Sequence, residues 1–358
     1  MAFSSILADL AEEGEAPPAR VLIVDDSVVA RTAMARMVDA TSRFVVAGAV
    51  GNAREALAFL ALHQVEIILL DLEMPGVDGL TALPDMVMAG RGAKVLVVSS
   101  NAADGAAATV QALALGAADT LEKPSTGFAR RFGEMLEERL GRLAEVAPEP
   151  VMLPATPVPA RVLPKVEPFD IVAIGASTGG IHALSKLLRA IPSNVTVPML
   201  ITQHLPASFM PYFAAQLALI AGRPCEVATD GLRIRAGRII VAPGDAHLCC
   251  VKAFDGAAVR LSTAPSNSGC LPSVDPMFAS VAAVFGARAL GVVLSGMGRD
   301  GSIGARDLVT AGGSVLVQDR TTSVVWGMPG AVANGAGATA VLPPDDIGRV
   351  IAARGTRP

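Results

Sequence analysis

Short apolar runs alternate along this chain with segments whose apolar positions recur at helical spacing. From Arg20 to about Ala144, runs at Val21–Val24, Phe44–Val50, Val65–Leu70, Lys94–Val98 and Ala118–Leu121 predict strands. Helical patterns lie between them near Val28–Val38, Arg54–Leu62, Leu80–Met88 and Ala106–Leu115, and Phe128–Leu143 closes the set. Five βα units of this length predict a parallel sheet covered on both faces. The alternation stops at 145–168, where a proline stands every few residues and no period survives, the composition of an extended spacer. It resumes at Phe169, with strands predicted at Ile171–Gly175, Pro198–Thr202, Ala289–Ser295 and Ser314–Gln318. Between Cys225 and Thr263, short alternating runs and turns at Ala236-Gly237-Arg238 and Asp255-Gly256-Ala257 predict antiparallel hairpins set into an otherwise parallel sheet. The expected class is α/β, with two doubly wound domains over 19–144 and 169–358 joined by the linker 145–168. For the first sheet the expected strand order is 2-1-3-4-5.

Composition narrows what such a chain does. Its 358 residues suffice for two cores. A net charge of −4 and a pI near 5.6 argue against a nucleic-acid-binding surface, which needs a basic patch. The apolar content of 52% raises the question of membrane insertion. The longest uncharged run, Ala190 to Gly222, is broken by Pro192, Pro198, Pro206 and Pro211 and carries Gln203 and His204, so no spanning helix is expected. The start, MAFSSILADLAEEGE, lacks the basic and apolar regions of a signal peptide, so a cytoplasmic location is expected. Cys225, Cys249, Cys250 and Cys270 show no CxxC spacing and read as buried free thiols.

Carboxylates gather at predicted strand ends in the first half. Asp25 and Asp26 follow the first strand and Asp71 follows the third. In order 2-1-3-4-5 these strands are neighbours, so the three acids meet at the topological switch point. A hard divalent cation such as Mg²⁺ relieves that clustering. Ser99 ends the fourth strand and Lys123 follows the fifth. A hydroxyl and an ammonium facing a carboxylate–metal site suit a phosphoryl group built on one carboxylate.

In the second half, the strand Ile171–Gly175 runs into Gly175-Ala176-Ser177-Thr178-Gly179-Gly180 and then a helical pattern. This fits G-x-S-x-G, a serine exposed on a strand-to-helix turn. Such a serine needs an imidazole to take its proton and a carboxylate to orient the imidazole. Of the four histidines, His63 reads as a loop residue and His182 lies in the helix after Ser177. His247 begins a hairpin strand and could line the site. His204, ending the strand after Ser177's own, is the best candidate. Asp300, in Gly296-Met297-Gly298-Arg299-Asp300-Gly301, is the third member, with helix N-cap as its competing role. Backbone N–H groups at Thr178 or Met297 are candidates for an oxyanion hole.

The motifs VLIVDDS, LLDLEMPGVDGL, VVSS and LEKP resemble the receiver domain of two-component response regulators over about residues 20 to 140. The resemblance implies Asp71 as the phosphorylated residue. It implies Asp25, Asp26, Asp71 and the backbone carbonyl of Glu73 as Mg²⁺ ligands, and Ser99 and Lys123 as phosphoryl contacts. It departs at Thr120, where receivers usually carry an aromatic switch residue. The motifs GASTGG, ITQHLP, VAPGDAH, PSVDPMF, GMGRDG and QDRTTSVVWGMP resemble, in order, the catalytic domain of the chemotaxis protein-glutamate methylesterase family. That implies Ser177 as nucleophile, His204 as base and Asp300 as orienting carboxylate, with no cofactor for ester hydrolysis. It implies cleavage of glutamyl methyl esters, and glutamine deamidation, on cytoplasmic helices of chemoreceptors, with a chemotaxis histidine kinase as phosphodonor. Leu271 and Arg320 depart from the family pattern. The unphosphorylated receiver is expected to cover the sheet edge bearing Ser177. Two rival readings stay open: a response regulator whose Gly-rich second half only binds, and a serine esterase with a different substrate.

Overall fold

The computed structural model of the protein describes residues 17–99, 103–124, 130–144, 168–335 and 337–354. The first half alternates β1 (Ala19–Val24), α1 (Val28–Asp39), β2 (Phe44–Val50), α2 (Ala53–Leu62), β3 (Ile67–Leu70), α3 (Gly79–Ala89), β4 (Lys94–Ser99), α4 (Ala103–Leu115), β5 (Asp119–Glu122) and α5 (Arg130–Ala144). The strands form one parallel sheet in the order β2-β1-β3-β4-β5. Every residue of β3 is buried, as helices on both faces require of a central parallel strand. Short polar side chains start the helices: Ser27, Asn52 and Asp78 each accept a backbone N–H in the first turn of α1, α2 and α3. The expected linker, apart from Pro168, lies outside the described residues.

The second half builds a larger parallel sheet. Its strands are β6 (Ile171–Ala176), β7 (Met199–Gln203), β8 (Cys225–Val227), β10 (Ile239–Val241), β13 (Ala289–Val293), β14 (Ser314–Gln318) and β15 (Ala340–Leu342). They lie in the order β15-β14-β13-β6-β7-β10-β8, every pairing parallel. Helices α6 (Gly180–Arg189), α7 (Met210–Ala221), α8 (Val274–Phe285), α9 (Ser302–Thr310), α10 (Gly327–Asn334) and α11 (Pro344–Arg354) cover the faces. The predicted antiparallel hairpin is present: β11 (His247–Ala253) and β12 (Gly256–Ser262) pair along their length, and β9 (Arg233–Ile234) joins them in a separate three-stranded sheet. Two strands of that section differ from expectation. β8 and β10 run parallel and extend the main sheet, while β15 adds an edge strand at its other end.

The sheets meet through their helices. α4 packs on α6 and α7, and one buried apolar cluster runs without a break from Leu70 and Val97 to Val172 and Ile201. Val324 packs against the other face of the first sheet. Among the described residues, no helix is long and apolar enough to cross a membrane.

Candidate active site

The strands β6, β7 and β13 are neighbours in the second sheet, so the residues just past their carboxyl ends share one rim. Ser177 follows β6 directly. Its N–H donates to Ser295 O (3.0 Å), and its carbonyl accepts from Gln203 Nε2 (2.9 Å) and Gly180 N (2.8 Å). These bonds tie the serine backbone to the strands on both sides. The glycines are needed for close approach: a Cβ at Gly296 would stand 2.8 Å from the Ser177 Cβ and 2.4 Å from Met328 Sδ. Gly179, at φ +74°, turns the chain into α6 in a conformation that side chains disfavour.

His204 follows β7, and its N–H donates to Ala176 O (3.1 Å). Its Nε2 lies 2.8 Å from Asp300 Oδ2. Asp300 is 1% exposed and accepts further bonds from Ser273 Oγ (2.6 Å), Val274 N (2.8 Å) and Gly301 N (3.0 Å). It does not cap α9, whose N-cap is Gly301. Asp300 instead faces the positive N-terminus of α8, while Asp275 of α8 accepts Ile303 N and Gly304 N at the start of α9. The two helices thus cap one another across their contact. Burial alone would raise the Asp300 pKa; the bonds from His204 and Ser273, the His204 charge and Val274 N outweigh it and bring it down to about 2. Burial alone would lower the His204 pKa; the Asp300 bond and charge, with the nearby Cys270 thiol, raise it to about 9.

Ser177, Thr178, His204, Met297, Gly298 and Cys270 line one cavity of ≈ 350 Å³. Among the described residues no hydrogen bond joins Ser177 Oγ to His204. The N–H groups of Thr178 and Met297 likewise have no acceptor among those residues. The expectation of buried free thiols holds in full only for Cys250, all four being free but Cys225, Cys249 and Cys270 partly exposed; the Cys270 sulfur stands in this cavity, within 4.8 Å of the His204 and Asp300 ligand atoms. Cys225, Cys249 and Cys250 are free, and burial pushes the Cys225 and Cys250 thiols up to about 12.

Of the remaining histidines, His247 departs from expectation. His247, a candidate lining residue, is buried behind the site. Its Nδ1 accepts Ser273 N (2.9 Å) and its Nε2 lies 2.8 Å from Ala264 O, so it braces the serine that donates to Asp300. Neither Ser273 nor the His247 brace was expected, although both sit in quoted motifs, PSVDPMF and VAPGDAH. His182 Nδ1 lies 3.3 Å from Ala114 O at the end of α4, between the two halves. His63 is exposed, ends α2 and stacks on Phe59 at 4.4 Å.

The far wall of the Ser177 cavity comes from the first half: Leu113, Ala118, Asp119, Arg139 and Arg142. Gly179 N donates to Ala118 O (2.8 Å), and Thr178 Oγ1 lies 3.4 Å from Asp119 Oδ2, which Arg139 holds at 2.6 Å.

At the corresponding rim of the first sheet, Asp25, Asp26 and Asp71 bring carboxylate oxygens within 4.8 Å of one another. Lys123 Nζ lies 2.9 Å from Asp25 Oδ2 and 2.7 Å from Asp71 Oδ2. Burial opposes the Lys123 charge, but its bonds and ion pairs with Asp71 and Asp25 outweigh this and raise its pKa. Burial raises the Asp71 pKa despite Lys123. One ammonium does not balance three carboxylates, and buried Asp25 Oδ2 accepts no well-directed hydrogen bond, the lysine being its only near cation among the described residues. An all-oxygen, under-neutralised donor set of this kind fits Mg²⁺. Glu73 N donates to Asp71 Oδ1 (3.2 Å). Ser99 Oγ lies 2.9 Å from Thr109 Oγ1 of α4. Thr120, in β5, lines a second cavity of ≈ 190 Å³ that runs from Ser99 and Thr109 to His204 and Phe209.

Residues 172–351 match the family model described as CheB methylesterase, and residues 21–129 match that described as response regulator receiver domain. The chain is 38% identical over 360 residues to "Protein-glutamate methylesterase/protein-glutamine glutaminase 1" of Paramagnetospirillum magneticum, covering 92% of this chain and 94% of the relative. It is 41% identical over 342 residues to "Protein-glutamate methylesterase/protein-glutamine glutaminase 2" of Caulobacter vibrioides, covering 94% and 98%. The solved CheB methylesterase catalytic domain of Thermotoga maritima is similar to the second half at 31% identity and a TM-score of 0.50, covering 52% of this chain and 98% of that one.

Proposed function

The chain belongs to the CheB methylesterase family, and on that premise we propose that it is a phosphorylation-gated serine hydrolase of chemotaxis-type signalling. It removes methyl esters from glutamate side chains of chemoreceptors and deamidates glutamines there. The observation that carries this reading is that His204, held by Asp300 at 2.8 Å, lines the same cavity as Ser177.

His204 Nε2 is engaged by Asp300, so Nδ1, on the side the Cys270 thiol shares, is the nitrogen that takes the Ser177 proton; the more familiar triad uses these two nitrogens the other way round. Rotation about the Ser177 Cα–Cβ bond swings the hydroxyl through the cavity towards that nitrogen. Ser177 Oγ attacks the ester carbonyl while its proton passes to His204. The negative oxygen of the tetrahedral intermediate is held by the free N–H groups of Thr178 and Met297. Collapse expels methanol, which leaves with the proton from His204. Water, deprotonated by the same imidazole, then splits the acyl-serine to glutamate. With glutamine as substrate, ammonia leaves in place of methanol. Ser273 and His247 are positioning residues, holding Asp300 where it orients the imidazole.

Gating starts at Asp71, the phosphoacceptor, with a chemotaxis histidine kinase as donor in the cytoplasm. Asp25, Asp26, Asp71 and the Glu73 carbonyl would hold Mg²⁺, which would supply positive charge against the phosphoryl oxygens. Lys123 holds the remaining phosphoryl charge. Ser99 turns its hydroxyl from Thr109 towards the phosphoryl group and so loosens α4, which packs on α6 and α7 beside the serine cavity. The test is methanol release from methyl-esterified receptor with and without a small phosphodonor. Release stimulated by the donor is expected; hydrolysis of simple esters with none from receptor would instead make the chain an esterase with another substrate.

A further inference from the structure

A third cavity, ≈ 550 Å³, adjoins the Ser177 cavity and shares Cys270, Met297 and Gly298 with it. Among the described residues its walls come from the second half alone. Arg299 and Arg306 line it. Both are exposed, and neither has a carboxylate partner among the described residues. Elsewhere in this half Arg233, Arg238, Arg260, Arg288 and Arg349 pair with carboxylates, whereas buried Arg223 and the Trp326-stacked Arg320 do not; of the unpaired arginines, Arg299 and Arg306 are the two that line this cavity. The acids in the cavity wall are committed inward: Asp300 to His204 and the α8 N-terminus, Asp275 to the N–H groups of α9. Two free guanidinium groups therefore face solvent beside the reacting centre, in a chain of net charge −4.

We propose that Arg299 and Arg306 bind a carboxylate on the substrate polypeptide, so that the enzyme prefers glutamyl methyl esters flanked by acidic residues. This rests on the esterase reading above. The guanidinium fork suits a carboxylate by geometry as well as charge. The site acts on the distance between the ester and its neighbours, because both groups must seat together in adjoining cavities. It also gives the reaction a direction along a methylated segment: each ester cleaved leaves a new carboxylate, which becomes the anchor for cleaving the next ester nearby.

The test measures methanol release by the full chain, with a small phosphodonor present, from two peptides. Both carry one glutamyl methyl ester, flanked by Glu in one and by Gln in the other. The parent should show a KM about fivefold lower for the acidic peptide with kcat alike, the size expected of exposed charge pairs. The preference should shrink as ionic strength rises from about 0.01 M to about 1 M. The double variant R299Q/R306Q should bring the KM ratio to about one, and R299K/R306K should restore part of it. Equal KM values for the two peptides in the parent, or a fall in kcat on both peptides in R299Q/R306Q, would overturn the inference and leave the esterase standing. No methanol from either peptide would overturn the inference together with the esterase reading.

Discussion

Asp71 and Asp300 both lie beyond the carboxyl ends of central parallel strands, β3 in one sheet and β13 in the other. The chain surrounds them in opposite ways. Asp300 is satisfied by four close donors, including an imidazole and a helix N-terminus, and its pKa falls to about 2. Asp71 is buried beside two more acids with one lysine to share, and its pKa is raised. A saturated carboxylate cannot move or react, so it serves as an anchor. An under-neutralised one suits, on the proposed reading, a cation and a phosphoryl group. One type of side chain thus supplies the fixed end of one site and the reactive end of the other.

Substitutions can break that contrast. The largest effect is expected at the serine that the anchor serves: Ser177→Ala should cut methanol release about 10³-fold or more while thermal unfolding stays unchanged. Asp300→Asn should cost on the order of 10³–10⁴-fold, because the amide no longer fixes the imidazole, and should lower the melting temperature because an N–H₂ replaces the oxygen that accepts from Val274 N. Asp71→Asn should leave basal release intact and abolish stimulation by phosphodonor, a coupling of about 5–150-fold. The pH profile sharpens the anchor side. With His204 held protonated up to about 9, the neutral base grows about tenfold per pH unit, so activity should rise from pH 6.5 to 9 and then level. The same pairing stabilises the fold fully below the unfolded His value of 6.5, and that contribution is lost as pH rises through about 9. The smallest effect is expected at the seam: Asp119→Ala, which removes the acid held by Arg139 beside Thr178, should raise basal release by up to about fivefold.

The positions of the clustered acids and the serine were legible in the chain because Asp25, Asp71 and Ser177 each follow an apolar run directly, and a strand end is a place that periodicity locates. The fold class was legible for the same reason. Pairing direction was not: β8 and β10 are three residues each, too short to carry an alternation, so their turns suggested hairpins where β10 pairs parallel with β7 and β8 parallel with β10. The supports of Asp300 were hidden because Ser273 and His247 stand 27 and 26 residues from their partners and meet only through the packing of α8. Spacing alone also could not show Cys270 in the serine cavity, since the thiol enters from a loop with no period. The proximity of the receiver to Ser177 was expected only from the tether between two domains. Its chemistry, Ala118 and Asp119 bonding Gly179 and Thr178, needed the packed structure.

The central claim is that charge at the under-neutralised site governs access to the serine cavity. The most direct measurement is the rate at which a fluorophosphonate probe labels Ser177 in the full chain, with Mg²⁺, before and after adding a small phosphodonor. The account predicts faster labelling with the donor, and no change in Asp71→Asn. Equal labelling rates in the parent chain with and without the donor would contradict it.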